Sequence, residues 1–204
     1  MSQFSAIPEA LEAFKNGEFL VVMDDESREN EGDLIIAAAQ TTTEKMAFLI
    51  RHSSGFVCVP LSNELANKYE LPYMVENRTD RHGTAYTVTC DAIEGTTTGI
   101  SAHDRALTAR CLADKNTTAA SFMRPGHVVP LRAVDGGVLA RRGHTEAAVD
   151  LCKLTGQPAA GVICEIVRDE DGLMARTDDC LEFAKTHGIK AITIDALVKY
   201  IEQQ

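Results

Sequence analysis

The chain has 204 residues, 45% of them hydrophobic and 25% charged, enough for one substantial core or at most two small domains. Against 30 acidic side chains stand 20 basic ones, and the net charge of −10 argues against a nucleic-acid backbone as a general partner. No apolar run approaches the about 20 residues that span a bilayer, so no membrane partner is expected.

Met1 to Glu9 lacks a basic flank and a long apolar core, so no signal peptide is expected. The six cysteines sit in apolar surroundings without a C-x-x-C pair. That pattern argues against a zinc knuckle or a disulfide framework and for reduced thiols in a soluble, cytoplasmic protein. Ile7, Leu11 and Phe14 recur at helical spacing, predicting a helix from Pro8 to Lys15 that Gly17 stops. Phe19 to Met23 reads as a strand that runs into Asp24-Asp25-Glu26-Ser27-Arg28-Glu29-Asn30-Glu31-Gly32-Asp33, and Leu34 to Ala39 as the next strand. Carboxylates packed into one loop between two strands suit a hard divalent cation. The plain alternative is a solvated turn. Charge repulsion alone does not call for the Arg28 fork or for Gly32.

Thr41 with Glu44 makes a capping-box pattern, opening a helix through Met46, Leu49 and Ile50 that ends near Arg51-His52-Ser53-Ser54-Gly55. Phe56 to Val59 reads as a buried strand, and Ser62 as the cap of a short helix to about Tyr69. Leu71 to Gly83 is a polar loop, and the alternation in Thr84 to Asp91 predicts a strand. Thr96 to Ser101 is a hydroxyl-rich turn before a helix from about Ala102 to Asp114, with Ser101 and Asp104 as its cap. Pro125-Gly126-His127 reads as a turn and Val128 to Val134 as a strand. Gly136-Gly137 leads through Arg141-Arg142-Gly143-His144-Thr145 into a helix from Glu146 to Leu154. Gly161 to Val167 is a further strand, Thr177 opens a helix that Gly188 closes, Ala191 to Ile194 is a short strand, and Asp195 caps a last helix. Strands and helices interleave without a repeat or linker, so one α/β domain over residues 1–204 is expected.

Beside the acidic loop, four features carry chemistry. Arg141 to Thr145 places arginine forks, a hydroxyl and free N–H groups at a helix start, which fits a phosphate or an ordinary capped helix; His144 there can instead ligate a metal. Thr96 to Ser101 fits an anion or a plain N-cap. Glu165, inside an apolar strand with Ile163 and Ile166, is either at a sheet edge or buried with a raised pKa suited to proton transfer. His127 stands where a histidine is open to acid–base work, or is a surface residue.

The acidic loop, Arg51-His52-Ser53-Ser54-Gly55 with Cys58, Thr98-Gly99-Ile100-Ser101-Ala102-His103-Asp104-Arg105, Arg124-Pro125-Gly126-His127 and Arg141-Arg142-Gly143-His144-Thr145-Glu146 follow one another in this order. In these stretches the chain resembles 3,4-dihydroxy-2-butanone 4-phosphate synthase over nearly its whole length. The chain ends at Gln204 without a zinc-ligating cysteine cluster, so it resembles the monofunctional form rather than the fusion to GTP cyclohydrolase II. The resemblance implies a three-layer α/β/α fold with a mixed, twisted sheet and a homodimer with active sites at the interface. It implies conversion of D-ribulose 5-phosphate to L-3,4-dihydroxy-2-butanone 4-phosphate and formate in riboflavin biosynthesis. A pair of Mg²⁺ ions per active site is implied, with Mn²⁺ able to substitute. By motif, Glu29 and His144 resemble the metal ligands, and His127, Glu165, Glu31 and Asp33 the catalytic set. Arg28, Glu29, Asp33, Arg141, Arg142, Gly143, His144, Thr145 and Glu165 resemble the substrate-binding set, with Cys58 and Thr98 at the pocket. On this reading Glu165 moves protons near C3, Glu31 or Asp33 serves other steps, and His127 acts on an oxygen with Asp104 orienting it.

Overall fold

A computed structural model of the chain describes residues 3–204. In chain order the helices and strands are α1 (Ile7–Lys15), β1 (Leu20–Met23), β2 (Gly32–Ala37), α2 (Thr43–Arg51), β3 (Cys58–Leu61), α3 (Asn63–Lys68) and β4 (Cys90–Ala92). They continue with α4 (Ala102–Ala113), β5 (Phe122–Arg132), α5 (His144–Leu154), β6 (Gly161–Glu165), α6 (Thr177–His187), β7 (Lys190–Thr193) and α7 (Ile194–Ile201). The strands form one seven-stranded sheet in the order β4-β5-β3-β6-β2-β1-β7. It is mixed: β1 pairs parallel with β7 and β3 with β5, while β1–β2, β2–β6, β3–β6 and β4–β5 are antiparallel.

The central strands are buried on both faces, so their side chains divide between two cores by parity. Val21, Met23, Leu34 and Ile36 pack with α2, α3, α4 and α6. Leu20, Val22, Ile35 and Ala37 pack with α1, α5 and α7 on the other side. The result is the three-layer α/β/α arrangement that the family resemblance implies. In α1 the buried residues Ile7, Ala10, Ala13 and Phe14 make one stripe, Pro8 sits in the first turn, and Gly17 at φ +81° follows its end.

Several boundaries differ from the sequence reading, each for a local reason. Thr42 caps α2, its Oγ1 accepting from Lys45 N at 3.3 Å. Thr41, expected in that role, is buried and donates to Ala37 O at 3.1 Å. Of Thr84 to Asp91, only Cys90 and Asp91 belong to a strand, and Tyr86 and Thr87 make isolated bridges. Pro125-Gly126-His127 is not a free turn: it lies inside β5, whose first half is partly exposed and so carries no apolar alternation. Thr193, not Asp195, caps α7, accepting from Ala196 N at 3.1 Å. Asp195 instead pairs with Lys199 one turn on.

Candidate active site

The acidic loop is held from inside and from outside. Asp24, buried at the end of β1, accepts from Glu31 N at 2.9 Å, from Glu29 N at 3.2 Å and from Arg28 Nη1 at 2.8 Å. Across from it, Arg176 at the start of α6 donates to Glu29 O at 2.7 Å and Asn30 O at 2.8 Å. Gly32 allows the close approach of α6, because a Cβ there would fall 2.5 Å from Cys180 Sγ and 2.7 Å from Met23 Sδ. Its tip, Asp25 to Ser27, is a solvated turn, but from Arg28 to Glu31 the loop is a fixed support for Glu29 and Glu31.

Strand register brings the remaining groups to one end of the sheet. Asp33 on β2 is the direct partner of Glu165 on β6, and Ile163 of β6 is the partner of Cys58 on β3. Two carboxylates facing each other across a ladder repel, so their pairing calls for positive charge between or beside them. α5 packs over this end and supplies His144. Its Nε2–H donates to Val22 O at 3.0 Å, which turns Nδ1 toward Glu29 Oε2 and Asp33 Oδ1, each 3.8 Å away. Gly143 is the N-cap of α5 and provides no side-chain cap, leaving first-turn N–H groups free. A Cβ on Gly143 would meet Arg141 Nη1 at 2.3 Å.

Arg28, Glu29, Glu31, Asp33, Cys58, Arg141, His144, Thr145 and Glu165 line one pocket, joined by Thr84 and Tyr86. The charges there act strongly on one another. Burial favours a neutral Glu29, but His144 and Arg28 outweigh it and hold the carboxyl down to about 2. Burial, with Glu165, Glu29 and Glu31 nearby, pushes Asp33 up to about 7 against the pull of His144. Burial opposes charge on His144, yet Asp33, Glu29 and Asp24 raise it to about 9. Glu31 is raised by burial and by Glu29. Burial, reinforced by Glu165, pushes the Cys58 thiol well above its ordinary range, which argues against a thiolate nucleophile.

Glu165 is neither on a sheet edge nor fully buried. It ends the central strand β6, partly open to the pocket, and Ser54 Oγ donates to its Oε2 at 2.9 Å. Four expected residues stand outside the pocket lining, Gly143 at the α5 N-cap being the first. Arg142 is exposed and pairs with Asp195 at 3.2 Å. Thr98 is exposed on the turn before α4. His127 lies on β5 and is bound by Asp91, with Nδ1 2.7 Å from Oδ2 and the backbone N–H 2.8 Å from Oδ1. Asp104 does not orient His127. It accepts from Thr97 N, Thr97 Oγ1 and Gly99 N, because it folds back into the turn it follows.

No local signal singles out Asp24, Thr84, Tyr86 or Asp91: the last three read as parts of a strand, and Asp24 as one acid among several. Asp24, Glu29 and His144 offer ligand atoms within 4.8 Å of one another. Asp33 Oδ1 is buried and has no hydrogen-bond partner among the described residues. Oxygen donors, one imidazole and an orphaned carboxylate oxygen fit a divalent cation of the Mg²⁺ or Mn²⁺ type.

Comparison with known proteins identifies the family. The family description 3,4-dihydroxy-2-butanone 4-phosphate synthase matches residues 8–200. The synthase of that name from Candida albicans is 68% identical over 200 residues, covering 98% of both chains. The one from Schizosaccharomyces pombe is 63% identical over 199 residues, covering 97% of this chain and 98% of that one. A crystal structure of such a synthase in complex with two magnesium ions superposes with a TM-score of 0.95 at 53% identity, covering 98% of each chain. The fold, the ordered motifs and these likenesses converge: the chain belongs to the 3,4-dihydroxy-2-butanone 4-phosphate synthase family, enzymes of riboflavin biosynthesis.

Proposed function

We propose that this protein is a lyase that converts D-ribulose 5-phosphate to L-3,4-dihydroxy-2-butanone 4-phosphate and formate. Enolisation, loss of the C1 hydroxyl, skeletal rearrangement and departure of C4 follow in turn, and the water lost on dehydration is regained when formate leaves. The observation that carries this reading is the meeting of Glu29, Asp33 and His144 within 3.8 Å contacts beneath the α5 N-terminus. Glu29 and His144, with Asp24 behind them, would hold Mg²⁺, on this reading a pair of ions per site, or Mn²⁺ in its place; the relative described in complex with two magnesium ions supports the choice of metal. When bound, the metal supplies positive charge that stabilises an enediolate.

The chain's own residues account for the remaining steps. Arg141, Thr145 and the free N–H groups of α5 grip the phosphate, which keeps the reactive intermediate in place. Arg28 and Asp33 contact the sugar oxygens. Asp33, opposite Glu165 and lining the pocket, stands where it can take and return a proton. Glu165, opposite Asp33 and held by Ser54, stands ready for proton transfer near C3.

His127 completes the set from a second copy of the chain. It stands outside the protomer's own pocket, and exposed apolar side chains lie on the stretches around it: Phe56, Ile93, Ile100 and Met123. A homodimer burying this surface places the ring at the neighbouring pocket. Among the described residues no helix is long and apolar enough to cross a membrane. The test is incubation of purified protein with D-ribulose 5-phosphate and Mg²⁺, with formate and inorganic phosphate followed separately. Stoichiometric, chelator-sensitive formate with phosphate retained is expected. Phosphate release, or turnover without formate, would refute the assignment.

A further inference from the structure

We propose that Asp91 is a positioning residue that fixes His127 as the Nδ1–H tautomer and presents Nε2 to the substrate. This rests on the reading of His127 as a proton carrier. Asp91 is buried, whereas the His127 side chain keeps 42% of its surface open. Both oxygens of the carboxylate are spent on this one residue, Oδ1 on its backbone N–H and Oδ2 at 2.7 Å from Nδ1. No other hydrogen bond reaches the ring among the described residues, so Nε2 is the free nitrogen. A carboxylate accepts from Nδ1 only when that nitrogen carries the proton, which in the neutral ring leaves the Nε2 lone pair available.

The surrounding backbone is shaped to this pair. β4 and β5 pair Cys90 with Val128 but Asp91 with Met123, so residues 124–127 form an excursion opposite a single step of β4. Gly126 lies flat on that step: a Cβ would fall 2.1 Å from Cys90 C and 2.3 Å from Asp91 N. Gly99, at φ +95°, covers the hydrogen bond itself, since a Cβ there would sit 1.9 Å from Asp91 Oδ2 and 2.5 Å from His127 Nδ1. The Gly99 N–H is in turn held by Asp104 Oδ2 at 2.9 Å. Two glycines thus permit backbone to close around one carboxylate–imidazole contact. Anchoring a sheet edge calls for neither the ring contact nor the cover over it.

Long-range ¹H–¹⁵N spectra of the wild-type chain, with His127→Gln for assignment, read the tautomer directly, and the Nδ1–H form is expected. Asp91→Asn should lower kcat for formate release at least about 100-fold while KM moves less than about threefold. Asp91→Glu, which keeps the carboxylate, should recover at least about tenfold of that loss. An Nε2–H ring in the wild type overturns the proposal, and needs no variant to fold. So does an Asp91→Asn enzyme with wild-type kcat beside an inactive His127→Ala. Full activity in His127→Ala removes instead the reading of His127, and this proposal with it.

Discussion

Two inactive variants of this protein should repair each other when combined. Glu29→Ala removes a carboxylate 3.8 Å from His144 Nδ1, within one protomer's pocket. His127→Ala removes a ring that is tied to Asp91 outside that pocket. A dimer of one variant with the other holds one site with both residues intact and one site with neither. Random assortment makes about half the dimers mixed, each with one working site of two, so the mixture should reach about one quarter of wild-type turnover. Co-expression with two different affinity tags isolates the mixed dimer, whose turnover should be about half that of wild type. Formate release per dimer, against each variant alone, is the readout. A mixed dimer no more active than its parents would show that His127 acts within its own chain or not at all.

Other outcomes follow from the same geometry. Glu29→Gln and His144→Ala should each weaken Mn²⁺ binding by more than the about 10–100-fold that loss of an outer-shell partner costs, measured by calorimetry or by the Mn²⁺ spin signal. Arg141→Ala should raise KM more than it lowers kcat. It should also reduce stability by about 1–3 kcal/mol in denaturant unfolding, because buried Glu146 loses the donor now 2.7 Å from its Oε2. Asp104→Asn should lower Tm by about 3–12 °C, from about 1.5–3 kcal/mol for hydrogen bonds to a charged acceptor in a chain of this size. Burial raises the Asp104 carboxyl, but bonds from Gly99, Thr97 and Ser101 outweigh it and lower it below its ordinary value. That stability is therefore present above pH 4 or so, where an unfolded aspartate is ionised, and fades as pH falls through the folded value. Thermal melts from pH 7 down to acid should show wild type and Asp104→Asn converging.

Much of the fold was legible in the residues. Apolar runs of four to six residues mark β1, β2 and β6 because strands buried on both faces carry no polar alternation. Ser62 and Ser101 announce their helices by a mechanism that acts within four residues, and each accepts the expected bond, from Leu65 N at 3.3 Å and Asp104 N at 3.0 Å. Legibility fails where another contact overrides the expected pattern. Thr41 is drawn away from α2 by Ala37 O four residues back, and Arg124 to His127 are carried into β5 by the distant strand β4. The site divides in the same way. Arg28, Glu29, Glu31 and Asp33 sit in one run and could be named from it, as could Arg141 to Thr145. Asp91 could not, since an acid at the end of an alternating segment looks the same whether it faces water or a histidine 36 residues away.

The order of residues alone settled which chemical groups this protein has to work with: a loop of carboxylates, an arginine-flanked helix start, a histidine after Pro-Gly. Those are local arrangements, and local spacing is what a sequence records. Only the tertiary structure decided that Asp33 faces Glu165, that His144 turns Nδ1 toward Glu29, and that His127 leans on Asp91 rather than Asp104. Each of these depends on strand register or on a helix crossing a sheet, where a shift of one residue would point the side chain to the opposite face.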